Sequence, residues 1–214
     1  ATVAICAGES ATLTASGAIT YTWSPSGGNS ATATVSPGTT TTYTVTGTTS
    51  GCSSTASRQV TVNPLPTVAS TNTGNQAICD GDSLLLTASG TSGVNYQWKR
   101  GSTNVGAGTT YYATIAGAYT VTATNPNTNC SATSNPSTIL TVNSMPVASV
   151  TVGGATEICT GESVTLTGPI VSGATAAYQW MDGSTNVGTN SISYTATATG
   201  AYRVAVTFTS TGCS

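Results

Sequence analysis

Asp80 and Asp82, in the stretch ICDGDSLLLTASG (Ile78 to Gly90), are two carboxylates one glycine apart beside a cysteine. They are the first place to look for chemistry in a chain that has little else to offer. Calcium takes six to eight oxygen ligands, several of them carboxylates. Asp80 and Asp82 would supply two, with backbone carbonyls completing the shell, so a Ca2+ site there stands against a plain solvated turn. A nucleophile activated by a base cannot be assembled in the usual way, because histidine is absent and Lys99 is the only lysine. A pair of carboxylates acting as acid and base, as in glycosidases, would have to come from Glu9, Asp80, Asp82, Glu157, Glu162 and Asp182. Three of these, Glu9, Asp82 and Glu162, recur at one position of an internal repeat, which suits a turn better than a unique catalytic centre. The expectation is a protein that is not an enzyme and holds no cofactor.

Only 5% of the 214 residues are charged, with four basic and six acidic side chains. Nucleic-acid binding needs a basic stripe that displaces counterions from phosphates, and Arg58, Lys99, Arg100 and Arg203 do not make one. Threonine supplies about a fifth of the chain, and with Val, Ser and Tyr it favours strands over helices. Apolar residues alternate at period two in SATLTAS, AYTVTATN and QVTVNP, as strands with one wet face require. No apolar run approaches the length of a membrane-spanning helix, and no leader-like start is visible.

The elements that must position these residues are written three times. ICAGESATLTASG (Ile5 to Gly17), ICDGDSLLLTASG and ICTGESVTLTG (Ile158 to Gly168) are one phrase, each followed by Tyr-x-Trp at Tyr21 and Trp23, Tyr96 and Trp98, and Tyr178 and Trp180. Each copy continues to a Tyr with Val two residues on and ends at a second cysteine. First cysteines are spaced by 73 and 80 residues, so each copy is a small domain: 1–64, 65–144 and 145–214, with Pro64, Pro66 and Pro146 at the joints. The pattern predicts an all-β chain of three tandem immunoglobulin-like β-sandwich domains in an extended array. The recurrent Trp stands where that fold places its core Trp, and the later Tyr where it places its tyrosine corner. The inter-sheet cysteine positions of that fold are taken by Leu13, Leu86 and Leu166 facing Val45, Val121 and Val204, with the cysteines outside the strands. The third copy stops one residue after Cys213, so its final strand is expected to be missing, either cut off or supplied by a neighbouring subunit through strand addition.

The six cysteines lack the close pairs of zinc sites, which points to disulfides and an oxidising, extracellular compartment. The expected pairs are Cys6 with Cys52, Cys79 with Cys130, and Cys159 with Cys213, each closing a loop of about 50 residues worth roughly 4 kcal/mol. The alternative joins Cys52 to Cys79 and Cys130 to Cys159 across the joints. The tryptophans, once per repeat, read as core. One of Tyr111 and Tyr112 must point outward, which leaves room for a small sugar or protein contact.

The phrases IC-x-G-x-S, YQW followed by GSTNVG, GAYTVT and the late GC or NC, joined by VNPLP, resemble the immunoglobulin-like and PKD-like repeats of Bacteroidota cell-surface adhesins. These are proteins of the gliding-motility type, exported by type IX secretion. The resemblance covers essentially the whole chain. It implies structural stalk or filament repeats of a large extracellular adhesin, non-catalytic and not membrane-spanning, whose partners are neighbouring repeats or subunits and a surface polysaccharide or protein. Two alternatives stay open: a glycan- or protein-binding recognition module, and a spacer of a secreted modular hydrolase. Asp82-Ser83-Leu84 also matches the O-glycosylation pattern of that bacterial group, which makes Ser83 a glycosylation candidate against an ordinary strand start. Asn129-Cys130-Ser131 is an N-glycosylation sequon that this context argues against.

Overall fold

A computed structural model describes residues 2–172 and 175–214. Among them every regular element is a strand, and no helix is long and apolar enough to cross a membrane. The first repeat holds β1 (Val3–Cys6), β2 (Ala11–Thr14), β3 (Thr20–Ser24), β4 (Thr32–Val35), β5 (Thr41–Thr49) and β6 (Cys52–Asn63). The second holds β7 (Val68–Ser70), β8 (Gly74–Cys79), β9 (Leu84–Gly90), β10 (Asn95–Arg100), β11 (Thr103–Ala107), β12 (Thr110–Ala113), β13 (Gly117–Thr124), β14 (Ser131–Thr133) and β15 (Thr138–Asn143). The third holds β16 (Thr151–Val152), β17 (Val164–Thr167), β18 (Ala176–Asp182), β19 (Thr185–Val187), β20 (Ser193–Ala196) and β21 (Tyr202–Phe208).

The chain forms two compact units that cut across the second repeat. One is Ala1–Thr73 with Leu86–Tyr111 and Ala118–Thr138; the other is Gly74–Leu85 with Tyr112–Gly117 and Ile139–Ser214.

In the first unit, β1-β6-β5-β3 form one sheet and β2-β4 face it. That is the order of an immunoglobulin sandwich, with the Trp strand, the Tyr strand and the last strand adjacent and the second strand paired across to the fourth. β1 runs parallel to β6, Val3 opposite Val60 and Cys6 opposite Asn63. Alternation buries Leu13, Trp23, Tyr43, Val45 and Val60 between the layers. On the wet face the abundant hydroxyls pair across strands, Thr44 with Ser57 at 2.8 Å, Thr48 with Ser53 at 2.9 Å and Thr122 with Thr133 at 2.9 Å. Such pairs stabilise a sheet that has almost no charge to spend on its surface. Leu86, Trp98 and Val121 are fully buried in the same way as their counterparts in the first repeat.

The second unit repeats the scheme in β19-β18-β21 and β16-β17-β20, around Leu166, Trp180, Ala196, Val204 and Val206. The Tyr202 hydroxyl donates to the Ala198 carbonyl at 3.0 Å, four residues upstream. This is the tyrosine corner of immunoglobulin sandwiches. The chain is thus built of tandem immunoglobulin-like repeats.

Strands β11 and β19 were not foreseen. They come from the GSTNVG segments, which turn back on the Trp strand, Gly106 opposite Trp98 and Val187 opposite Trp180. Glycine is required there by contact, since a Cβ on Gly106 would sit 2.6 Å from the Tyr111 ring.

Candidate functional site

The Cys-x-Gly-acid corner has the same backbone geometry in all three repeats, and it is built by backbone rules. Glu9, Asp82 and Glu162 each donate their N–H to the carbonyl of the cysteine three residues before, all at 3.0 Å. The glycine at the third place has φ of 89°, 92° and 93° at Gly8, Gly81 and Gly161, as a type II turn demands. The acid then closes the corner. The Glu9 carboxylate accepts from the Cys6 N–H at 2.9 Å and that of Glu162 from the Cys159 N–H at 3.0 Å. Asp82 is one methylene shorter, and no such bond joins it to Cys79 among the described residues.

Asp80 and Asp82 are exposed, as is Ser83. The Asp80 N–H donates to the Asn143 carbonyl at 2.8 Å, which anchors the corner to the end of β15. No group of three His, Cys, Asp or Glu side chains gathers as a metal set among the described residues. The donor set for Ca2+ at Asp80 and Asp82 therefore stays at two carboxylates.

The disulfides depart from the expected pairs. Cys6 is bonded to Cys130, 124 residues away, with Cα atoms 5.5 Å apart; Cys79 is bonded to Cys213, 134 residues away, at 5.6 Å. Cys52 and Cys159 are free and exposed. The bonds therefore do not join Cys6 to Cys52, Cys79 to Cys130 or Cys159 to Cys213. Neither do they follow the alternative of Cys52 with Cys79 and Cys130 with Cys159.

The reason lies in where β1 pairs along β6, on its last four residues. Cys6 is opposite Asn63, the last residue of β6, whereas Cys52 is the first residue of that strand. Eleven steps at about 3.3 Å put the two roughly 35 Å apart, and a disulfide tolerates at most about 7 Å between Cα atoms. The two cysteines of the first repeat thus stand at opposite poles, and the bonded first cysteines, Cys6 and Cys79, each pair with the second cysteine of the next repeat. The cysteines also touch the strands more than expected, Cys6, Cys52 and Cys79 being strand termini.

Bonding coincides with burial on the hairpin side. Cys130 and Cys213 are fully buried. Their hairpins share one form: Asn125 N–H to Cys130 carbonyl at 2.9 Å matches Phe208 N–H to Cys213 carbonyl at 2.8 Å. The bond from Asn129 N–H to the Asn125 carbonyl likewise matches that from Gly212 N–H to the Phe208 carbonyl, at 2.8 and 2.7 Å. Asn129, the sequon residue, takes a left-handed φ of 61° within that turn.

The tryptophans are core. Their indole N–H groups donate to the carbonyls of Ser30, Gly108 and Ser191 at 2.9, 3.1 and 3.0 Å, and all three side chains are buried, so no ring face is free to stack on a sugar. Tyr111 turns inward, its ring 6.3 Å from that of Trp98 and 5.9 Å from that of Tyr119. Tyr112 turns out and is 62% exposed.

A groove of about 500 Å³ opens in the third repeat, lined by Val152, Ile158, Val164, Leu166, Ala196 and Tyr202. In the first repeat the matching residues Ile5, Leu13 and Tyr43 pack with Val60 of the last strand, which is fully buried. Ile158 lies in a segment without strand pairing, and β21 is an edge of its sheet.

No protein-family model matches the chain, and no curated protein is similar to it at a significant level. Among solved structures it is similar to an I-band fragment of titin, with 18% identity over 89% of this chain and 79% of that one and a TM-score of 0.38. It is similar also to a three-Ig structure of the same titin region carrying E-to-A changes, with 17% identity, 97% and 85% coverage and a TM-score of 0.40. A third is the Sidekick-1 fragment of immunoglobulin domains 1–4, with 14% identity, 100% and 69% coverage and a TM-score of 0.29. The immunoglobulin-like character of the chain itself rests on its own strand order, its buried tryptophans and the Tyr202 corner.

Proposed function

We propose that the chain is a run of non-catalytic structural repeats, at 1–64, 65–144 and 145–214, from the stalk or filament of a large extracellular, cell-surface adhesin. The observation that carries this reading is the disulfide pattern: each bond ties one repeat to its successor, so tension is borne by covalent links instead of by the sheets alone. Disulfides also support an oxidising, extracytoplasmic setting, and the low charge suits a strut whose stiffness does not depend on salt. The resemblance of the repeat phrases supports an origin among Bacteroidota adhesins of the gliding-motility type, with type IX secretion and a sugar on Ser83. The groove over Ile158 and Leu166 suits a strand alternating as Val60 and Val62 do, added at the β21 edge.

A second reading, a recognition module, is favoured by one observation, the exposed Tyr112. A glycan array probed with the intact chain and with its Tyr112→Ala variant separates the two. The stalk reading expects no selective binding. Selective binding lost on substitution would replace it with the recognition module.

A further inference from the structure

The disulfide rule leaves two open ends, and they are complementary. Every bonded pair joins a first cysteine to the second cysteine of the following repeat. For Cys159 the rule calls for the second cysteine of a following repeat and for Cys52 the first cysteine of a preceding one, and neither lies within residues 1–214. We propose that Cys52 and Cys159 are the two halves of a third disulfide of the same kind. It is made head to tail, between Cys159 and a hairpin cysteine of the Cys52 type on a second copy of the chain or on a like repeat contiguous with it.

Beyond the free thiols themselves, three observations carry this. The turn at Cys159 is that of both bonded first cysteines: the Glu162 N–H donates to the Cys159 carbonyl at 3.0 Å, as Glu9 and Asp82 do to Cys6 and Cys79. Next, the hairpin cysteines that have found partners are fully buried, whereas Cys52 is exposed. Finally, Cys52 borders a hollow of about 590 Å³ that Ala15, Tyr21 and Gly47 also line. Counted from Tyr43, its hairpin is two residues shorter than those counted from Tyr119 to Cys130 and from Tyr202 to Cys213, which leaves space at that pole for an incoming corner. The inference rests on bond geometry and stands apart from the adhesin reading.

The chemistry balances as thiol–disulfide exchange. A low-molecular-weight disulfide such as oxidised glutathione first forms a mixed disulfide at Cys52, releasing one glutathione thiol. The Cys159 thiolate then attacks the Cys52 sulfur, expelling the second. Two protein thiols are oxidised, one disulfide is reduced to two thiols, and the protons of the protein thiols end on the leaving groups.

A head-to-tail contact that does not close on itself propagates as a filament. The test uses the intact chain with its two internal bonds verified by non-reducing peptide mapping. Treated with oxidised glutathione, it should form a ladder of covalent oligomers whose only new cross-link is Cys52 to Cys159. Cys52→Ser and Cys159→Ser chains should each stay monomeric. Mixed together they should give dimers and nothing larger, at least ten-fold over any symmetric dimer. Bonding between separate chains identifies a second copy as the partner; bonding confined to a head-to-tail fusion of two chains identifies a contiguous repeat. Symmetric Cys52–Cys52 or Cys159–Cys159 dimers, or only glutathione adducts in both settings, would overturn the proposal. Peptide maps showing Cys6–Cys130 and Cys79–Cys213 intact in each variant keep a folding defect from being mistaken for such a failure.

Discussion

Cys6 and Cys130 are bonded across 124 residues of sequence, while Cys6 and Cys52, much closer in sequence, stand at opposite ends of β6. The second bond, Cys79 to Cys213, is interlaced with the first, since Cys79 lies inside the first loop and Cys130 inside the second. A taut covalent path runs from Cys6 to Cys130, back along the chain to Cys79, and across to Cys213. That path holds about 60 residues, so the fully unfolded oxidised chain should extend to about 200 Å, against about 750 Å when both bonds are reduced. Single-molecule pulling with and without a reductant measures this directly. An oxidised extension near the reduced value would contradict the interlaced pairing.

The carboxylate caps should be worth a measurable amount where they are made and nothing where they are not. Glu9→Ala and Glu162→Ala each remove an exposed hydrogen bond to a cysteine N–H, at a cost of about 1 kcal/mol or less. Asp82→Ala should change stability by less than about 0.5 kcal/mol. Denaturant midpoints compare the three, and equal losses at all of them would show that Asp82 caps its corner too.

Gly106 and Tyr111 form a tight pair. Gly106→Ala places a methyl against a ring already stacked on Trp98 and tilted against Tyr119, and overpacking of this kind costs about 1–3 kcal/mol. In a Tyr111→Ala background the same change should cost close to nothing. A double-mutant cycle from urea unfolding gives the coupling, and additive losses would rule out the contact as the cause.

The phenol of Tyr111 is pushed above its ordinary value by burial and by Tyr119, with Arg100 pulling the other way. The fold therefore prefers the neutral ring. The stabilisation this gives is complete below the unfolded phenol's pKa of about 10 and is lost as the pH rises through the raised folded value. Denaturant midpoints should fall through this alkaline range, and Tyr111→Phe should flatten the fall.

Much of this was legible from the residues alone. The three phrases fixed the repeat, the period-two alternation located the strands through Leu13, Leu86 and Leu166, and single recurrence per repeat marked Trp23, Trp98 and Trp180 as core. The acid of the corner was readable as a turn residue because it recurs with a glycine before it. These features are local: they depend on side-chain alternation and on φ at one glycine, which neighbours in sequence settle. GSTNVG was visible as a motif, yet its folding back on the Trp strand hinges on how closely a glycine approaches a ring supplied by another strand.

Cysteine pairing was beyond the sequence because loop length discriminates poorly. Lengthening a loop from about 50 to about 130 residues changes the closure entropy by only about 1 kcal/mol, so proximity in sequence barely favours Cys52 over Cys130 as a partner for Cys6. What decides is where β1 docks. Paired with Val60–Asn63, the last four residues of β6, it holds Cys6 at the pole opposite Cys52, a distance no side-chain rotation bridges. The sequence determined the repeat, the strands and the corner; only the tertiary structure decided which cysteines meet, because the end of the long strand β6 on which the short strand β1 docks sets the pole at which Cys6 stands.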